Sequence, residues 1–292
     1  MFHLINWIKQ NKIGAIIVGV FTFATMILII SLAQQNQLTT RPDQVPLRTG
    51  PGLNYKQITK LKAGTKLTVV AKNNGWWQVK RDNNQKVGWV ASWVANNTKL
   101  KTATQLSEAT IVLDPGHGGS DTGAISTDGK HYEKTYTLKT ALATEKVLTN
   151  AGARVIMVRT KDVVVPLLYI PLKAEKDNAD AQISFHFDSS ESNNSASGVS
   201  QYYYNDNSQS LAQALNGSLN NLPLENRGYE TMPYLVIKDV TRPAVLLENG
   251  FINSDHDFSY IRQSSYQQKI AHDVKSGLVA YLSNLYPNNN GQ

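Results

Sequence analysis

The sequence predicts an α/β domain with a mostly parallel, twisted sheet flanked by helices, preceded by a small all-β barrel and an N-terminal transmembrane helix. Three observations carry this prediction. Residues 13–33 (IGAIIVGVFTFATMILIISLA) are apolar on every side and uncharged. Between 41 and 96, short β-prone runs are separated by Gly and Asn turns. From 110 onward, apolar β-prone runs alternate with helical patterns, the arrangement of an α/β domain. The chain therefore divides into a transmembrane anchor or signal segment (1–33), a linker (34–40), a β module (41–96), a second linker (97–109) and the α/β domain (110–287).

An uncharged run of 21 residues is long enough to span a bilayer as a helix. Lys9 and Lys12 precede it and no basic residue follows until Arg41. The positive-inside bias then puts the N-terminus in the cytoplasm and the rest of the chain outside. Ser31-Leu32-Ala33 offers small residues of the kind a signal peptidase reads, but the apolar stretch exceeds a usual signal peptide. A retained anchor is the favoured reading, with secretion after cleavage at Ala33 as the alternative. The absence of cysteine excludes disulfides, thiolate metal sites and cysteine nucleophiles.

The β module begins with a strand at 45–48 and a Gly50-Pro51-Gly52 turn. Further runs follow at 66–71, 76–81 and 87–90, with turns at 73–75 and after 81. The stretch VPLRTGPGLNYKQITKLKAGTKLTVVAKNNGWWQVKRDNNQKVGWVASWV resembles a bacterial SH3 domain over nearly its full length. That resemblance implies an SH3-like barrel serving as a wall-binding accessory of an exported enzyme. At least two of Trp76, Trp77, Trp89 and Trp93 are expected to pack in its core. Charge is divided unequally along the chain: residues 1–110 carry 14 basic against 3 acidic side chains, and 111–292 carry 15 against 19. A basic module suits an anionic partner. With no RNA-binding signature and an extracellular topology, anionic wall polymers are expected and nucleic acid is not.

In the α/β domain three apolar runs end in groups that can bind a metal or move a proton. Residues 111–114 (IVLD) lead into Pro115-Gly116-His117-Gly118-Gly119, 183–185 into His186, and 245–247 into Glu248. Glu133 stands at the expected start of the first helix. In a parallel sheet, sites gather at the carboxyl ends of the strands. Two imidazoles, a carboxylate and a further carboxylate form the inventory of a His, Glu, His zinc site with a separate general base. The strings IVLDPGHGGSDTGA, YEKTYTL, ADAQISFHFDSS and PAVLLENGF, in this order, resemble the zinc-dependent N-acetylmuramoyl-L-alanine amidases over about residues 111–285.

The resemblance implies His117, Glu133 and His186 as ligands of Zn2+ and Glu248 as the catalytic carboxylate. The implied substrate is the amide joining the lactyl group of N-acetylmuramic acid to L-alanine in peptidoglycan. Zinc would lower the pKa of water and polarise the carbonyl, and Glu248 would carry the proton from water to the departing amine. Asp114, Asp121 and Asp188 are candidates for orienting the imidazoles. His131, although near Glu133, is not a ligand by this match, and His256 and His272 are expected on the surface.

Where the family usually carries an Arg and an Ala-Asn pair, this chain has Ile170 and Ala174-Glu175, and Asn253-Ser254 is also shifted from the commoner order. Between His186 and Val199 the polar segment is too short for an inserted helix that could cover the site. A monomer is expected. Two other functions stay open: a zinc peptidase acting within the stem peptide, and a non-catalytic wall-binding regulator.

Overall fold

The computed structural model describes Trp7 and residues 10–81 and 86–287. Lys9 and the polar turn expected after residue 81 lie outside the described residues. Helix α1, Lys12–Gln35, holds 24 residues. At 1.5 Å per residue it is about 36 Å long, more than the ~30 Å of a hydrocarbon core. Over Lys12–Ile29 its mean hydropathy is 2.2 and nothing packs on it.

The segment read as a linker at 34–40 is built into the barrel. One residue after α1, strand β1 (Gln37–Thr39) pairs antiparallel with β4 (Lys66–Asn73). Leu38 is the reason: among polar neighbours it alone is apolar, and it is 4% exposed in the barrel core. The Thr40 hydroxyl donates to the Lys62 carbonyl at 2.7 Å and fixes the exit. With β2 (Val45–Arg48), β3 (Gln57–Leu61), β5 (Trp76–Arg81) and β6 (Val87–Ala91), an antiparallel sheet forms in the order β1-β4-β5-β6-β2-β3. Asn74 and Gly75 both take positive φ, 42° and 84°, as the tight β4–β5 hairpin requires. Trp76 is in the core, and Trp77, Trp89 and Trp93 pack against it while partly exposed.

The segment 97–109, also read as a linker, is a structured connector. After helix α2 (Ser92–Ala95), Thr102 bridges Asp43, and helix α3 (Gln105–Glu108) is closed by a reciprocal capping box between Thr104 and Ser107. Glu108 accepts from Arg48 Nε at 2.9 Å and Nη2 at 2.6 Å, with both side chains at most 1% exposed. The Trp93 indole donates to the Ser107 carbonyl, and Arg154 lies over the Trp93 ring while donating to the Asn74 carbonyl. Leu53 of the barrel sits in the core cluster of the α/β domain. Polarity made this connector resemble a linker, because the partner of its one acid, Glu108, is distant in sequence.

The second sheet contains β7 (Thr110–Pro115), β8 (Arg154–Met157), β9 (Ala181–Asp188), β10 (Val199–Tyr203), β11 (Asn226–Thr231) and β12 (Ala244–Phe251). Its order is β11-β10-β12-β9-β7-β8. Only the β10–β12 pair is antiparallel. The pleat sends Ile111, Leu113, Val245 and Leu247 to one face, where they meet α4 (Glu133–Asn150), α6 (Gln209–Leu219) and α9 (Ser264–Leu285). Val112, Ala244 and Leu246 go to the other, against α5 (Tyr169–Lys176) and α7 (Leu235–Lys238). The stripe on α9 is buried at Ile270, Val274, Leu278 and Tyr281, but its last position, Leu285, is 47% exposed where the helix runs past the sheet. Helix α8 (Asp255–Ile261) is N-capped by Ser254 and completes the fold.

Candidate metal centre and active site

The carboxyl ends of β7, β9 and β12 converge on one edge. Beyond β7 the chain turns sharply: Arg159, only 3% exposed, donates Nε to the Pro115 carbonyl at 2.9 Å and Nη2 to the carbonyls of Gly116 at 3.0 Å and Lys134 at 2.9 Å. One guanidinium thus pins both the loop that carries His117 and the start of the helix that carries Glu133. His117 itself adopts φ 62°, a left-handed conformation held by the fold around it. A Cβ at Gly116 would collide with the His186 ring, so only glycine lets the loop pass.

Glu133 is the first residue of α4, 3% exposed, and sits where the helix dipole favours negative charge. Its Oε2 lies 3.0 Å from His117 Nε2 and its Oε1 3.0 Å from His186 Nδ1. Backbone amides of Ala124 and Phe187 donate to the same two oxygens at 2.9 and 3.0 Å. The two imidazoles hold the Glu133 carboxyl far below the ordinary glutamate range against the opposing effect of burial. His117 is pushed up to about 9, because its hydrogen bonds and charge contacts with Glu133 and Asp121 outweigh desolvation. Ligand atoms of His117, Glu133 and His186 all lie within 4.8 Å of one another, the one such cluster among the described residues. Two imidazoles and one ionised carboxylate converging this closely suit a divalent metal of borderline softness.

Glu248 stands directly opposite His186 in the parallel β12–β9 register. Its Oε2 is buried with no hydrogen-bond partner. Burial, followed by the charges of Glu133 and Asp188, raises its carboxyl well above the usual glutamate range. A carboxylate left without a donor beside a metal cluster is available to hold and release a proton.

A 170 Å3 cavity is lined by His117 and His186 and walled on its apolar side by Val164, Leu167, Ile170 and Val236.

Sequence matches settle the family. The family profile described as N-acetylmuramoyl-L-alanine amidase matches residues 111–280, and that of the bacterial SH3 domain matches 43–95. A probable cell wall amidase, LytH of Staphylococcus aureus, is 36% identical over 283 residues, covering 94% of both chains.

The chain belongs to the N-acetylmuramoyl-L-alanine amidase family.

Solved amidases agree. The catalytic domain of CwlV from Bacillus (Paenibacillus) polymyxa var. colistinus shares 30% identity at a TM-score of 0.58, covering 60% of this chain and 98% of that one. An N-acetylmuramoyl-L-alanine amidase from Clostridium difficile 630 gives 29% and 0.58, covering 60% and 97%.

Within the amidase site, the three candidate imidazole-orienting aspartates separate. Asp121 Oδ2 lies 2.9 Å from His117 Nδ1 and orients that ring. Asp114 instead accepts from Ser184 at 2.5 Å, and Asp188 takes the Ser189 amide at 2.7 Å. His131 faces Tyr136 and Phe258, outside the cluster, and His256 and His272 are exposed. Ile170, the departure from the family pattern, is buried in the cavity wall, and Glu175 accepts from the Thr241 hydroxyl just before β12. Asn253 ties its amide to Ser190. The segment 189–198 forms bends and turns, with no helix, and is fastened to Asn253, Asp255 and Asp257. Arg159 escaped the sequence reading because a lone arginine after a strand carries no chemical signal until its carbonyl partners are known.

Proposed function

We propose that this amidase cleaves the bond between the lactyl group of N-acetylmuramic acid and L-alanine of the stem peptide, with His117, Glu133 and His186 holding Zn2+ and Glu248 handling the proton. The observation that carries the reading is Glu248 in register with His186, its buried Oε2 unpartnered, beside a three-residue metal cluster. Bound there, zinc supplies Lewis acidity that polarises the scissile carbonyl and makes water more acidic. Glu248 accepts the proton of the attacking water and returns it to the amine of L-alanine as the bond breaks, which spares the poor amide leaving group from departing as an anion. Asp121 keeps the His117 ring turned toward the cluster, and the Glu133 carboxylate is held ionised by the two imidazoles and fixed in place by its amide donors.

Helix α1 anchors the enzyme with its N-terminus in the cytoplasm and both folded domains in the cell envelope. The charge asymmetry around the helix and its unburied apolar surface support this placement. Peptidoglycan is the substrate and the protein acts as a monomer.

Mass analysis of digested peptidoglycan tests the reaction. Intact stem peptides released with free lactyl ends are expected. Trimmed stems would establish a peptidase instead, and no products would establish a non-catalytic binder.

A further inference from the structure

On the seam between the barrel and the α/β domain, a 570 Å3 cleft is lined by β3 of the barrel, the connector and one face of α9. It abuts a second hollow of 300 Å3 that shares Ala151 and Lys275 with it. Both lie at the far end of α4 from the metal cluster: Ala151 follows the 18-residue helix that Glu133 begins, about 27 Å of rise. His272, Lys275, Val279 and Ser283 recur along one face of α9 through both hollows, so the floor runs for about 16 Å.

The charges in this groove are unbalanced. Lys60 from the barrel and Lys275 and Lys146 from the α/β domain have no ion-pair partner among the described residues. The one carboxylate lining it, Glu108, is already engaged by two bonds from Arg48. A neutral acceptor is also left over, since the buried Oε1 of Gln57 in the same cleft has no hydrogen-bond donor. Two half-buried ammonium groups and one exposed one along a concave track, with an unused acceptor in the same cleft, call for a chain that brings repeated negative charge and hydroxyl donors.

We infer that this two-domain groove binds a linear polyol polymer joined by phosphodiesters. Each repeat carries one permanent negative charge for the lysines, and a hydroxyl of the polyol satisfies Gln57. Because the two walls belong to different domains, the groove exists only while the seam is locked, which gives the buried Arg48–Glu108 pair a purpose beyond cohesion. The site is separate from the amidase chemistry, so binding is measurable without turnover.

The test uses the full chain in detergent micelles and fluorescently labelled poly(glycerol phosphate) freed of peptidoglycan, followed by anisotropy at several salt concentrations. Lys60→Glu with Lys275→Glu should weaken binding on the order of tenfold or more and flatten the salt dependence. Lys146→Glu should weaken it alone. Turnover of soluble muropeptide and the melting temperature serve as folding controls, and Lys60→Gln with Lys275→Gln replaces the reversal if that variant fails them. Lys66→Glu with Lys72→Glu, on the barrel outside the groove, should leave binding unchanged. Equal losses from this control pair would overturn the proposal, as would unaltered binding by the groove variants. Polyglutamate binding as tightly as the phosphodiester polymer, or binding only to phosphatidylglycerol vesicles, would also overturn it.

Discussion

Replacing Arg48 by Met would leave the Glu108 carboxylate, 1% exposed, inside the seam without its two charged donors. Breaking a buried pair by removing one partner costs about 3–5 kcal/mol, a large share of the roughly 5–15 kcal/mol that holds a domain together. For a folded region of this size that corresponds to a drop in melting temperature of roughly 6–20 °C. The loss should depend on pH. Burial already raises the Glu108 carboxyl above its ordinary 4.5 despite Arg48, and without Arg48 it rises further. A carboxyl whose folded pKa is raised favours the native state when protonated and loses that contribution as pH climbs, so the deficit should be largest at neutral pH and shrink toward pH 4.5.

Adding Glu108→Leu to Arg48→Met should recover most of the stability, since a buried pair exchanged for apolar side chains is often neutral. Calorimetry of the full chain in detergent would measure all three proteins. Because Leu53 and the Arg48 pair tie the barrel to the α/β core, both domains should melt in one transition that shifts as a unit. A shift under about 2 °C, or one confined to a separate barrel transition, would refute the claim that the two domains form one cooperative body.

Other consequences are local to the site. Gly116→Ala should force His186 off the cluster and abolish metal binding while circular dichroism stays native, because the added methyl meets the imidazole. Arg159→Met should lower metal affinity by about 10–100-fold by releasing the Pro115, Gly116 and Lys134 carbonyls, with partial rescue by Arg159→Lys, and titration by calorimetry would show it. The metal must displace the proton that His117 holds up to about 9, so zinc affinity should rise with pH through the neutral range and level off above about 9. A competition assay with a metal-sensitive dye would read that profile, and a flat one would contradict the assigned ligand.

The α/β alternation, the long apolar helix and the gathering of the four candidate side chains at one sheet edge were legible in the sequence for a common reason. Each follows from local pattern: uniform apolarity in α1, alternation in the strands, and reactive residues placed where apolar runs end. What escaped depends on contacts between distant segments. Leu38 looked incidental within a polar stretch until β4 supplied its partner, and Glu108 looked like a solvated linker charge until Arg48, 60 residues earlier, closed on it. The same holds for the aspartates near the metal cluster. Asp114, Asp121 and Asp188 are equivalent in the sequence, and only the folded loop, with His117 at positive φ, brings Asp121 to Nδ1.

Metal binding by three ligands and proton transfer by a fourth residue are separable by substitution. Wild type, Glu248→Gln and His186→Ala should be compared side by side for zinc per chain and for release of intact stem peptides. Wild type should hold one zinc per chain and lose activity to a chelator until zinc is restored. Glu248→Gln keeps the shape of the side chain but not its basicity, so it should retain the metal and lose most turnover, whereas His186→Ala should lose both. A Glu248→Gln protein that loses its zinc would make Glu248 a ligand, and one that keeps full activity would assign the proton transfer to another group.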